Sequence, residues 1–198
     1  MPHTVFLVRH GEHLDAEHGV EDGPLSPRGV RQAQAAADRL SQYDFERVLH
    51  SPLERAWDTA RVFTERMPSL KPEPSALLMD CVPSGPNEAT PASFQPFFNA
   101  HTAVEFEAGR AQMDDAVAEF LAPGKHGQND LLITHNTVIA WFVREVLEAP
   151  DWKWATLQQA HCGLTVLQKK TGTPWTLLSH NDLGHLPVEL RTGQIQIV

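Results

Sequence analysis

Thr4-Val5-Phe6-Leu7-Val8-Arg9-His10-Gly11-Glu12 reads as a short buried strand that runs into a cation, an imidazole and a turn glycine. A strand ending in this way delivers Arg9 and His10 to the carboxyl edge of a sheet. Open α/β sheets keep their ligand crevices at that edge. Taken alone, Arg9-His10-Gly11 fits equally well as ordinary polar residues leaving a strand. Three further stretches of the chain change that reading.

The first follows a polar loop, Glu12 to Gly23, that carries His13, Asp15, Glu17 and His18. Leu25-Ser26-Pro27-Arg28-Gly29 then opens a helix, with Ser26 as N-cap and Pro27 at its first position. The Ala- and Gln-rich run to Leu40 continues it. The second is a strand at Phe45–His50 followed at once by Ser51-Pro52-Leu53-Glu54, which has the spacing of a capping box, and by a helix to about Arg66. Arg55 thereby sits in the first turn of a helix just past a strand, aimed at the crevice. The third is a buried strand at Asp130–Thr134, a turn at His135-Asn136 and a helix from Thr137 to Glu148.

Between these lie two other regions. Met67–Pro96 holds seven prolines and reads as an ordered excursion across the crevice, with Leu77-Leu78-Met79 tucked beneath it, although a plain surface insertion fits as well. Ala103–Leu121 places Val104, Phe106, Met113, Val117, Phe120 and Leu121 at helical spacing, and Pro123-Gly124 ends it. Cys162–Gln168 and Trp175–Ser179 read as late strands joined by Thr171-Gly172-Thr173-Pro174, and the chain from Gly184 reads as a surface tail. The whole, 1–198, reads as one domain without repeats.

Composition narrows the function classes. A net charge of −9 argues against a nucleic-acid or anionic-membrane binder while leaving room for a small basic pocket. Two cysteines, Cys81 and Cys162, are too few for a disulfide framework and read as free thiols. No stretch approaches the roughly 20 apolar residues of a membrane span. A cytoplasmic protein is expected, and the sequence leaves a homodimer open.

Arg9, His10, Arg55 and His135 form a cationic set suited to a tetrahedral dianion. Guanidinium forks bind phosphate oxygens in pairs and keep their charge. Helix starts at 51–55 and 136–139 add oriented amides. Fixed cations of this kind stabilise a transferring phosphoryl group without a metal. One imidazole must then attack phosphorus, and it must be neutral, a form favoured by neighbouring arginines. His10 fits best, with His135 as a donor to phosphate oxygen, although residue types alone leave the choice open.

Arg9-His10-Gly11, Leu25-Ser26-Pro27-Arg28-Gly29, Ser51-Pro52-Leu53-Glu54-Arg55-Ala56 with Thr59-Ala60, and Ile133-Thr134-His135 together resemble the histidine phosphatase superfamily, from residue 4 to about 168. The resemblance implies a phosphoglycerate-mutase-like, three-layer α/β/α sandwich with a mostly parallel central sheet. It implies that His10 is transiently phosphorylated, that Arg9, Arg55 and His135 hold the phosphoryl oxygens, and that neither metal nor cofactor is used. Within the superfamily, Ile133–Ile139 with Trp141–Arg144, and Asn181–Pro187, are most similar to the mitochondrial mutase-like serine/threonine protein phosphatases.

The general acid departs from the family pattern. Acid phosphatases of the superfamily follow the second histidine with Asp, and this chain has Asn136. Smaller members take a Glu from the insertion, a position that Asp80 occupies here; Glu88 competes with it. Among eleven histidines, a cluster of His10, His13 and His18 is the only metal idea, and no paired Cys/His spacing supports it. His13 is expected at the pocket mouth; His161, His180 and His185 at the surface or hydrogen-bonded in the core. Trp141, Trp152, Trp154 and Trp175 are expected in packing, and Cys81 as a bystander thiol. The expected function is metal-independent hydrolysis of a phosphoprotein or small phosphometabolite. The alternatives are mutase-type transfer and a catalytically weak phospho-ligand binder.

Overall fold

The computed structural model describes residues 2–15, 22–122 and 127–193. Its centre is a six-stranded mixed sheet. In chain order the strands are β1 (His3–Arg9), β2 (Arg47–His50), β3 (Glu73–Pro74), β4 (Asn129–Thr134), β5 (Leu164–Lys169) and β6 (Trp175–Asp182). Their spatial order is β3-β2-β4-β1-β5-β6. The first four in that order run parallel, while β5 and β6 pair antiparallel at the far edge. The sheet is therefore mostly parallel.

Alternation along the central strands builds two cores. Phe6 and Val8 of β1, with Leu131 and Ile133 of β4, face α1 (Pro27–Leu40) and α2 (Glu54–Arg66). Val5, Leu7 and Leu132 face the other way, toward α4 (Ala103–Phe120), α5 (Asn136–Val146) and the short α3 (Gln95–Phe98). Period-two burial on a sheet covered on both faces gives the three layers.

Helix α1 starts as its sequence dictates. The Ser26 hydroxyl accepts from the amide of Gly29, and Pro27 takes the first turn. The glycine at 29 has a steric cause: a Cβ there would lie 2.0 Å from the carbonyl oxygen of Glu12. The loop leaving β1 is thus laid directly on the start of α1. In α4 a capping box, Thr102 with Glu105, sets the first turn. The buried stripe of α4 runs through Gly109, Met113, Ala116 and Phe120. Val104, expected on the apolar face, is exposed, because at 3.6 residues per turn it lies across the helix from the stripe of Gly109, Met113, Ala116 and Phe120. The expected stop at Pro123-Gly124 lies outside the described residues.

Two expectations fail for identifiable reasons. Ser51 does not cap α2: the N-cap is Leu53, and the Ser51 hydroxyl is drawn to His135 instead. The amide of Glu54 is met by the Asp22 carboxylate. The segment from Gly184 to Gly193 is not a surface tail. Leu186 and Leu190 are buried, and Gln32 Nε2 donates to the Leu190 carbonyl. Residues 194–198 of that expected tail lie outside the described residues. Met67–Pro96 is ordered: it adds β3 beside β2 and buries Leu78 completely. No helix among the described residues is long and apolar enough to cross a membrane.

Candidate active site

The neighbouring strands β2, β4 and β1 end together. Their carboxyl ends deliver Ser51 and Arg55, then His135, then Arg9 and His10 to one place. His10, Arg55 and His135 are all buried. Arg55 joins the group. Its Nε lies 3.1 Å from His10 Nε2, Nη1 lies 2.9 Å from Asp22 Oδ1, and Nη2 lies 3.1 Å from Asp80 Oδ2 and 3.2 Å from His135 Nδ1.

A guanidinium only donates. His10 Nε2 must therefore carry a lone pair, and the proton sits on Nδ1, which donates to the Gly11 carbonyl at 2.8 Å. The same reasoning makes His135 Nδ1 an acceptor, so its Nε2–H donates to the Ser51 hydroxyl at 2.7 Å. Burial, together with His135, Arg9, His161 and Arg55, holds His10 well below the ordinary histidine range. Burial, only partly opposed by Asp80, pushes His135 down to about 4. Both imidazoles are neutral at physiological pH.

Arg9 is anchored from behind. Its Nη1 donates to the carbonyls of Gln159 and Gly193, each at 2.6 Å. Burial lowers its pKa to about 10, which leaves it charged. The Gly11 amide donates to Thr59 Oγ1, and that hydroxyl donates to the Arg55 carbonyl, so the threonine of the second motif ties the nucleophile loop to α2.

Asp80 sits beside both Arg55 and His135, the latter at 3.8 Å. Thr137 Oγ1 donates to its other oxygen at 2.6 Å. The backbone before Asp80 is pinned, because Thr134 Oγ1 donates to the Leu78 carbonyl and Gln112 Nε2 to the Met79 carbonyl. Glu88 is exposed on its loop and, among the described residues, shares no hydrogen bond or ion pair with Arg9, His10, Arg55 or His135. The structure therefore brings together Arg9, His10, Arg55, His135 and Asp80, and leaves Glu88 apart.

A cavity of about 720 Å³ opens from Arg55 and Asp80 toward α3 and α4. Met79, Val82, Phe97, Glu105 and Gln112 contribute to its walls.

Sequence reasoning missed several participants. Asp22 binds Arg55 and the first amides of α2, yet an Asp-Gly pair in a polar loop carries no signal for this. His161 stacks 5.5 Å from His10, ring centre to ring centre, and accepts or donates at Thr192 Oγ1. Burial and Arg9 hold it at about 2. His13 stands 6.0 Å from His10, on the outer side. His18, from the metal idea, lies outside the described residues. Trp141, Trp152 and Trp154 are buried, and Trp175 is half-buried with its indole N–H on the Leu121 carbonyl. Cys81 is half-buried, and burial raises its thiol to about 12, as befits a bystander.

Comparison with known proteins shows the fold and the family of the chain. The serine/threonine-protein phosphatase Pgam5, mitochondrial, of Caenorhabditis briggsae is 28% identical over 190 residues, covering 92% of this chain and 64% of that protein. The chain thus spans less than two thirds of that relative's length. The alpha-ribazole phosphatase of Shigella flexneri superposes with a TM-score of 0.73 at 22% identity, covering 90% of this chain and 96% of the other. Phosphoserine phosphatase of Entamoeba histolytica, in complex with phosphoserine, gives a TM-score of 0.67 at 19% identity, covering 93% of this chain and 100% of the other. The family model of the histidine phosphatase superfamily (branch 1) matches residues 5–183. With nine-tenths of its length accounted for by that match, the chain belongs to the histidine phosphatase superfamily.

Proposed function

We propose that the protein is a metal-independent phosphomonoester hydrolase that works through phospho-His10, on a phosphorylated protein side chain or a small phosphometabolite. The observation that carries this reading is the bond from Arg55 Nε to His10 Nε2, which presents a neutral imidazole with its lone pair on the cationic pocket.

An arriving phosphoryl group takes the N–H donors of Arg55 and the free nitrogens of Arg9, and so releases His10 Nε2. That lone pair forms the N–P bond as the bond from phosphorus to the ester oxygen breaks. Asp80, which receives the proton that a monoanionic phosphomonoester carries in, passes it to the leaving oxygen. His135 turns donor at Nδ1 in its other neutral tautomer, with the ring proton moved from Nε2 to Nδ1 and the Ser51 hydroxyl, which can donate or accept, turned to donate a hydrogen bond to Nε2. Water then attacks phosphorus, Asp80 takes the proton from water, and the N–P bond breaks to return His10 and inorganic phosphate.

The charge around the cleft disfavours mutase chemistry. A phosphoglycerate mutase must hold a carboxylate and a second phosphate beside the reacting one. Here Asp22, Asp80 and Glu105 line the cleft, and Arg55 is the one Lys or Arg among the described residues that do so. The name of the Caenorhabditis relative supports a phosphoprotein substrate, and the solved neighbours support small ones. The two free thiols suit a reducing compartment, and we keep the cytoplasm as the proposed one.

Hydrolysis of p-nitrophenyl phosphate in EDTA tests the reading. Turnover that vanishes in His10→Ala supports it. A requirement for added metal, or wild-type turnover in His10→Ala, overturns it.

A further inference from the structure

The cavity beside Asp80 has a composition unlike that of the phosphoryl pocket. Met79 and Phe97 are 37% and 42% exposed, and both line it. Two large apolar side chains left to water on one wall lose the benefit of burial unless something covers them. Phe97 is also held rigid. Its ring meets Phe98 and His101 at 5.3 Å and Trp154 at 5.8 Å, all edge to face. A fixed, exposed aromatic anchor costs little entropy to engage.

The polar groups of the same cavity reject anions. Asp22, Asp80 and Glu105 contribute carboxylates, Arg55 is already shared among His10, His135 and two of these acids, and His101, the other basic side chain of the lining, lies 3.8 Å from Glu105. A second anionic group on the substrate would stand beside these carboxylates, whose exposures of 33–53% screen the repulsion in part without removing it.

We infer that the leaving group is apolar, best aromatic, with no second anionic group, and that it packs on Met79, Val82 and Phe97 while its ester oxygen faces Asp80. This rests on the phosphatase reading. The chemistry has two sources: an arylalkyl phosphate metabolite, or a phosphorylated residue with an apolar neighbour in a peptide.

The test compares kcat/KM for ethyl phosphate, 2-phenylethyl phosphate and 3-phosphoglycerate, all phosphates of alkyl alcohols, in wild type and Phe97→Ala. The phenylethyl ester is expected to exceed the ethyl ester by about 10-fold or more, in the range a hydrophobic pocket discriminates. 3-Phosphoglycerate is expected to fall below both. Phe97→Ala should bring the phenylethyl value close to the ethyl value measured in the same variant, with an unchanged circular dichroism spectrum as the check on folding. Two phosphoserine peptides differing only in a flanking Phe or Asp form the second arm. A Phe preference larger than the phenylethyl preference identifies the peptide source, and a smaller one the metabolite source. Equal or better use of 3-phosphoglycerate, or a preference that survives Phe97→Ala, overturns the inference while leaving the phosphatase reading intact. Failure of wild type to hydrolyse any compound counts against the phosphatase reading, and the inference falls with it.

Discussion

Nε of Arg55 lies 3.1 Å from Nε2 of His10, and the same guanidinium reaches His135, Asp22 and Asp80. One planar fork therefore fixes the tautomer of one imidazole and the acceptor state of the other. Arg55→Lys keeps the charge but cannot span these partners. It is expected to lower kcat/KM for p-nitrophenyl phosphate by about 10²–10³-fold, the scale for losing one transition-state donor. Steady-state kinetics check this beside a circular dichroism spectrum that should not change.

Ser51→Ala removes the partner of His135 Nε2, a buried atom 2.7 Å from the hydroxyl. An unsatisfied buried donor costs about 1–3 kcal/mol. Melting should fall by roughly 2–12 °C at this chain length. Activity should fall too, because His135 loses the group that lets it exchange tautomers. Unchanged kcat with a lowered melting temperature would leave Ser51 a purely structural role.

Gly29→Ala forces a methyl against the Glu12 carbonyl, where the built Cβ lies 2.0 Å away. Backbone is on both sides, so neither can swing aside. The expected cost is about 1–3 kcal/mol, the usual range for overpacking. Thermal melting measures it, and an unchanged melting point would show that the loop and the start of α1 can part.

The buried histidines give stability a predicted pH dependence. His135 is held at about 4 and His161 at about 2, with His10 also well below its usual range, in each case chiefly by burial. The unfolded chain titrates them near about 6.5. Below that pH the unfolded state binds more protons than the folded one, so stability falls as pH falls. It is complete above pH of about 6.5 and is lost progressively toward about 4, where His135 itself charges. Calorimetric melting between pH 7.5 and 4.5 should show the decline, shallower in His161→Gln. The nucleophile stays neutral through the same window, so kcat/KM should show no break near about 6.5 from His10.

Much of the site was legible because local rules govern it. Arg9, His10, Arg55 and His135 follow from strand ends and helix starts, which side-chain patterning reveals. The parallel order of β2, β4 and β1 then gathers them. Asp22 and His161 reach the site only through tertiary folding of loops, and no periodic pattern marks them. Ser51 misled because a capping box is a local expectation, and a buried imidazole 84 positions away competes for the same hydroxyl. The C-terminal segment misled for a similar reason: short and polar by composition, it docks through Leu186, Leu190 and the Gly193 carbonyl on Arg9.

Asp80 is the group whose assignment separates the two halves of the reaction. An aryl phosphate has a good leaving group and needs little acid, whereas attack by water still needs a base. Asp80→Asn should therefore phosphorylate quickly with p-nitrophenyl phosphate and dephosphorylate slowly, by about 10²–10⁴-fold. Glu88→Gln should behave as wild type. The most direct measurement is rapid quench of Asp80→Asn with p-nitrophenyl phosphate, followed by phosphosite mapping under alkaline conditions that preserve phosphohistidine. Near-stoichiometric phosphate on His10 is the predicted result; phosphate on another residue, or none during a productive burst, would contradict the phosphohistidine route.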